Sequence, residues 1–431
     1  MLVELLLCIL LVCLCQAAQF SVMQAVPRTR QAMTLLQKLC EQESAVNHIL
    51  VSEEKLRNLQ RVFASANITH SFLIADVLRS IESERNDLLT APNRQRRKAL
   101  DFDWERYQSW DEMLDYLHDL QAAYPHLAQL ETIGWSHENR PLLLLKLGSG
   151  VLERKPGVWV DAGLHAREWV APHAALRLAH RLLSSYGKEA SITKFLDDLS
   201  WYILPVANPD GYAYTMSKPL PSMTVYDVVN IRLWRKNRRP PTTCTEDSCC
   251  FGVDLNRNFD FHWDEFFRSG RDPCHPNSAG NQPFSEPESI AIRDFITAHQ
   301  ESLKAYISLH SYGQIWIHPY GHAKGTYPPD IEELRRVGRI AVAQIALATG
   351  SNYEVGSTAD VMYRTSGTSL DWAKALGLDY AYLVELRPER QHRSNLNSMT
   401  GGFFLPKDQL LSTAQEAVQG ILSVAQAILP S

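Results

Sequence analysis

The chain has 431 residues, 45% of them hydrophobic and 21% charged, with a formal net charge of −5. These values are ordinary for a globular protein long enough to form one large domain and a small one. The acidic balance gives no footing for nucleic acid, and no internal stretch is apolar for long enough to span a bilayer.

The N-terminus differs from the rest. Residues 2–15 are almost wholly apolar, broken only by Glu4, and Gln16-Ala17-Ala18 follows. This reads as a signal peptide, residues 1–18, with small residues at the cut. A membrane anchor is the alternative, but the run is short for a span. Secretion puts the mature chain in an oxidising compartment. Cys8, Cys13 and Cys15 leave with the signal; Cys40, Cys244, Cys249, Cys250 and Cys274 remain. Cys250 with Cys274 is the first pair expected, Cys244 with Cys249 closes a small loop, and Cys40 is left over. A cysteine zinc site competes with this reading, but the spacings form no two Cys-x-x-Cys knuckles.

Residues 28–40 carry helical spacing of apolar residues, and Ser52 is placed to cap a second helix starting at Glu53. Asn67-Ile68-Thr69 is a glycosylation acceptor. Next comes the basic run Asn93-Arg94-Gln95-Arg96-Arg97-Lys98. Such a run is either a solvated loop or a site for proteases that cut after paired basic residues. Lying between a small unit and a large one, it favours cleavage after Arg97. Residues 19–97 are then a propeptide, and residues 98–431 form the main domain.

From there apolar runs alternate with helical patterns. Strands are predicted over 142–147, 158–160, 201–206, 305–309 and 380–384, and helices over 110–124, 172–185, 286–299, 330–348, 368–375 and 413–428. The fold class expected is α/β, a mixed and mostly parallel twisted sheet with helices on both faces, preceded by a small α+β propeptide domain.

In such sheets ligands bind where loops leave the carboxyl ends of strands. After residues 158–160 come His165 and Glu168, after 201–206 comes Asn208-Pro209-Asp210-Gly211, after 305–309 comes His310, and after 380–384 comes Glu385. His165, Glu168 and His310 make a two-histidine, one-glutamate donor set with Glu385 as a spare carboxylate. A catalytic zinc takes three protein ligands and keeps one position open. Singly, each residue has a plain structural reading: His310 a satisfied core histidine, Glu385 a partner for Arg387.

Taken in order, the motifs His165-Ala166-Arg167-Glu168-Trp169, Asn208-Pro209-Asp210-Gly211, Arg232-Leu233-Trp234-Arg235-Lys236, Gly252-Val253-Asp254-Leu255-Asn256-Arg257-Asn258, Leu309-His310-Ser311-Tyr312-Gly313, Tyr363-Arg364-Thr365-Ser366-Gly367 and Glu385-Leu386-Arg387 resemble the zinc metallocarboxypeptidases of the carboxypeptidase A/B type. The resemblance runs from about residue 104 to the C-terminus, and the part before it looks, more loosely, like the family's inhibitory propeptide. It implies that His165, Glu168 and His310 hold one zinc ion. Glu385 is similar to the family's general base, and Arg235 to the arginine that stabilises the oxyanion. Asn256, Arg257 and Tyr363 match residues that hold the substrate's free carboxylate. Arg232 is implied as an outer anion contact, Arg167 and Tyr312 as lining before the scissile bond, and Asp254 as the carboxylate orienting His165.

Basic-specific members carry aspartate at the base of the specificity pocket; the matching residue here is Leu370. An apolar base offers nothing to a buried lysine, arginine or glutamate charge. Met362 and Leu383 add apolar wall, Thr358 stands where members often have an aliphatic residue, and Thr368 replaces a frequent glycine and narrows the pocket. The resemblance therefore implies hydrophobic C-terminal residues, with aliphatic ones tolerated better than tryptophan. The partners implied are peptides or proteins with a free C-terminus, an activating endoprotease and the chain's own propeptide, with no nucleic acid and no membrane. Residues 217–229, 239–248 and 388–400 are longer than the family's pattern and bear on outer subsites. The competing class is a binding protein that kept the fold and lost catalysis, but every implied ligand, base and anchor residue is present.

Overall fold

The computed structural model describes residues 20–27, 47–66, 68–74, 77–89, 100, 102–220, 222–241, 244, 249–265, 272–389 and 402–429. The signal peptide, the helix expected over 28–40, Cys40, Asn67, the basic run at 93–98 and residues 390–400 lie outside the described residues.

The N-terminal unit is a three-stranded antiparallel sheet. Strand β1 (Phe20–Pro27) runs between β2 (Asn47–Ser52) and β3 (Ile68–Ile74). Two helices, Glu53–Ser65 and Val77–Leu89, complete it. In the second helix Val77 and Ile81 are four apart and so share a face. That face is buried against Val229 and Phe404 of the large unit.

The large unit is built on eight strands: β4 (Ala128–Trp135), β5 (Pro141–Leu147), β6 (Gly157–Ala162), β7 (Ser200–Leu204), β8 (Leu303–Ser311), β9 (Ile315–His318), β10 (Glu354–Ser357) and β11 (Tyr380–Leu386). They lie in the order β10-β9-β11-β8-β6-β7-β5-β4. The central run β11-β8-β6-β7 is parallel, while β4, β5 and β9 bring in the antiparallel pairings. The expected mixed α/β class therefore holds.

Side-chain alternation explains the two covered faces. In β6, Val158, Val160 and Ala162 enter one core and Trp159 the other. Helices Trp110–Ala123, Val170–Ser185, Ile331–Thr349 and Leu410–Ile428 supply the first core. Pro287–Ala298 and Ser369–Ala375 supply the second. Both loop disulfides expected from the sequence are formed, Cys250–Cys274 and Cys244–Cys249.

The differences from expectation are local. The strand predicted over 201–206 stops at Leu204, because Pro205 has no N–H to give the ladder. Strands β9 and β10 have four residues each, too few to show a period. Within 217–229, expected as a long loop, helix Val225–Arg232 begins on a capping box between Thr224 and Asp227.

Candidate active site

Parallel pairing of β8 with β11 sets His310 directly beside Glu385. Beyond the end of β6, Gly163 adopts φ 69°, a left-handed turn that side chains resist, and the chain doubles back into His165 and Glu168. Both lie in the short connection before helix Val170–Ser185. Strand β8 carries its donor to within reach of that connection.

The three donors converge. His165 Nδ1 is 2.7 Å from Glu168 Oε1, His310 Nδ1 is 2.9 Å from Glu168 Oε2, and the two Nδ1 atoms are 3.0 Å apart. All three residues are buried. His165 Nε2 faces Asp254 Oδ1 at 3.2 Å. The carboxylate only accepts, so that nitrogen carries the proton and Nδ1 is left as a bare lone pair. Ligands about 2.0–2.1 Å from a tetrahedral zinc lie about 3.3–3.4 Å from one another, close to the spacing of these atoms. Two nitrogen lone pairs and a carboxylate turned toward one point fit a divalent cation.

Asp254 organises the next layer. It caps the short turn Leu255–Arg257, accepting from Asn256 N at 3.0 Å, and its Oδ2 accepts from Arg235 Nε at 2.8 Å. Asn256 Oδ1 is held by Ser369 N at 2.9 Å, and Arg257 Nη1 donates to Asn256 O at 2.8 Å. One buried carboxylate thus fixes His165, Arg235 and the turn that carries Asn256 and Arg257.

Charges in this site are strongly coupled. Burial opposes the Glu168 charge, but His165 and His310 outweigh it and hold the carboxyl well below its usual range. Burial depresses the His165 ring, with Arg235 adding to the effect. His310 is raised, because Glu168 more than offsets burial. Burial, then the charge of Glu168, pushes the Glu385 carboxyl up to about 8. Among the described residues nothing hydrogen-bonds its Oε2.

The remaining predicted residues each have a defined setting. Tyr363 is 40% exposed and stands within electrostatic reach of Arg235. Leu370 is 1% exposed and packs with Ile315, Ile317, Ala381 and Leu383, with Val361 and Met362 at the margin. Thr368 turns its hydroxyl to cap helix Ser369–Ala375. Arg167 lies 4.1 Å over the Phe403 ring, which Tyr312 meets edge-on. Arg232 is engaged by the N-terminal unit: its Nε and Nη2 donate to the two oxygens of Glu84 at 2.6 and 3.0 Å. Its guanidinium is also stacked 3.7 Å over Trp169.

Residues 113–420 match the model of a protein family described as zinc carboxypeptidase. The chain belongs to the zinc carboxypeptidases. It is 36% identical to carboxypeptidase A2 of Mus musculus over 382 residues, covering 88% of this chain and 83% of that one. It is 37% identical to carboxypeptidase B of Astacus astacus over 324 residues, covering 75% and 97%. The crystal structure of thrombin activatable fibrinolysis inhibitor superposes with a TM-score of 0.80 at 29% identity, covering 95% of this chain and 99% of that one. This zinc carboxypeptidase is therefore a metal-dependent hydrolase of the A/B type, acting on chains with a free C-terminus. Its metal is zinc, and the His165, Glu168 and His310 cluster is the buried donor set that fits it. A second cluster, His137, Glu286 and Glu288, already takes donors from Asn237 and Arg239.

The sequence reasoning passed over four residues linked to the predicted ones: Glu84, Phe403, Ser308 and, through Ser308, Asp161. Only Asp161 left a signal, a carboxylate inside the apolar run of β6.

Proposed function

We propose that the protein is a secreted zymogen whose residues 98–431, once freed of the propeptide 19–97, remove hydrophobic C-terminal residues. One observation carries the catalytic reading: the two histidine Nδ1 atoms lie 3.0 Å apart, each within 2.9 Å of one oxygen of the buried Glu168 carboxylate, and Glu385 Oε2 on the adjacent strand has no hydrogen-bond partner among the described residues.

In this reading His165, Glu168 and His310 bind the ion. Zinc, when bound, makes a water acidic enough to supply hydroxide near neutral pH and polarises the scissile carbonyl. Glu385 takes the proton from the attacking water and delivers it to the leaving amine. It must be ionised to do so; burial and Glu168 work against that, and a neighbouring dication works for it. Arg235, held charged by Asp254 in spite of burial, faces the developing oxyanion, an arrangement worth about 3 kcal/mol. Asn256, Arg257 and Tyr363 bind the terminal carboxylate, for which the guanidinium fork has matching geometry. Arg167 and Tyr312 line the cleft before the scissile bond. The apolar setting of Leu370 supports the hydrophobic preference, since a charged side chain beside it finds no counter-ion.

Latency has its own support. Arg232 is the anion contact implied by the family pattern, and Glu84 of the propeptide occupies its fork. Lys407 adds a contact to Asp87 at 3.2 Å. The propeptide thus presents a carboxylate to the enzyme's own carboxylate-binding side.

The test is hydrolysis of matched peptides, free and amidated at the C-terminus, before and after cleavage by a protease specific for basic residues. Release of Leu from the free peptide only, and only after cleavage, is expected. Release of Arg in preference to Leu would overturn the pocket reading, and no hydrolysis with zinc bound would overturn the catalytic one.

A further inference from the structure

The two histidines are oriented by different devices. His165 meets a carboxylate directly. His310 Nε2 lies 3.1 Å from Ser308 Oγ, and Ser308 Oγ lies 2.5 Å from Asp161 Oδ1. All three residues are fully buried. They sit on two neighbouring strands, Asp161 paired with Ser308 in register, and His310 follows two residues along β8 on the same face.

With Asp161 ionised, hydrogen accounting fixes the direction of this chain. Trp159 Nε1 has only a proton to give, and it gives it to Asp161 Oδ2 at 2.8 Å. Asp161 Oδ1 then accepts the hydroxyl proton of Ser308. With its proton committed, Ser308 Oγ can only accept, and the atom facing it is His310 Nε2. The other neighbour of that nitrogen, Asn256 Nδ2 at 3.5 Å, is itself a donor and cannot take its proton. His310 is thereby set as the Nε2–H form, with the lone pair of Nδ1 turned toward Glu168 and His165.

We propose that Asp161 and Ser308 are positioning residues for the metal: a carboxylate acting through a hydroxyl that fixes the tautomer and angle of His310. The proposal rests on the reading of His310 as a zinc ligand. A hydroxyl relay suits this place. Ser308 is a strand residue whose short side chain bridges to the next strand, whereas His165 sits on a turn that Asp254 can approach directly. Partners of this kind typically govern metal affinity by 10–100-fold.

The experiment uses the full chain with Ser308→Ala, Asp161→Asn, the double variant and His310→Ala. Zinc affinity is read by chelator competition, and the melting temperature of each metal-free form is recorded alongside. Each single variant should weaken zinc about 10–100-fold. The double variant should lose no more than the weaker single one, because the relay acts as a unit. Ser308→Ala leaves the Asp161–Trp159 bond intact, so its metal-free melting temperature should fall less than that of Asp161→Asn, and by too little to account for the loss of zinc. Affinity within threefold of wild type for Ser308→Ala, or a loss matched by a falling metal-free melting temperature, would overturn the relay. Should His310→Ala itself keep wild-type affinity, the ligand reading fails instead of the relay.

Discussion

The proposed metal end and the proposed recognition end of the cleft are built on different supports. His310 and Glu385 stand on adjacent central strands, and Asp254 ties the turn of His165 to Arg235; His165, Asp254 and His310 are buried, Glu385 and Arg235 partly so. On the recognition side Tyr363 is 40% exposed on an irregular segment, and Leu370 lies at the first turn of a seven-residue helix. The proposed function thus puts chemistry where backbone pairing fixes positions, and selection where single side chains can change without moving the sheet. Asn256 and Arg257 join the two ends, since the turn that bears them is capped by the carboxylate that orients His165.

The largest break in this comparison comes from the metal end. Glu385→Gln keeps shape and removes the base, so turnover should fall about a thousandfold or more with zinc content unchanged. Surviving turnover, measured as kcat on a Leu-ending peptide, would remove Glu385 from that role. Arg257→Ala acts on recognition. Loss of a charge-assisted pair should lower kcat/KM for free C-termini by about a hundredfold and leave the slow hydrolysis of amidated peptides nearly unchanged. Equal losses on both would place Arg257 in the structure of the turn instead.

Smaller effects sharpen the boundary. Glu84→Ala removes one side of a buried charge pair with Arg232 and should speed dissociation of the cleaved propeptide about tenfold or more. An unchanged rate, followed by recovery of activity after dilution, would show that Glu84 has no part in holding it. The mildest effect concerns Asp371, next to Leu370, where burial pushes the carboxyl up to about 7. The folded chain keeps this proton at higher pH than the unfolded one. The group's contribution to stability is therefore complete below about pH 4 and is lost as pH rises through 7. Asp371→Asn does not titrate, so its melting temperature relative to wild type should climb between pH 4 and 8. A flat difference would contradict the shift.

Much of the metal end could be read from the sequence because its donors follow apolar runs of the right length. His165 and Glu168 announce themselves by spacing, but the meeting of His310 with Glu385 needs the parallel register of β8 and β11. The relay through Ser308 needs a second register, between β6 and β8, and a serine in a strand carries no mark of it. Glu84 was beyond reach for another reason: its partner lies 148 positions away, on a helix that begins inside a stretch read as loop. Short strands such as β9 and β10 follow the same logic, being fixed by their neighbours and not by their own four residues.

The most direct measurement is the profile of residues released by activated wild type and by Leu370→Asp, each with its zinc content determined. Wild type should release Leu and Phe and leave Arg and Glu. The variant should gain Arg release with zinc bound as before. Release of Arg by wild type, or a loss of zinc in the variant, would contradict the separation of a metal end from a recognition end.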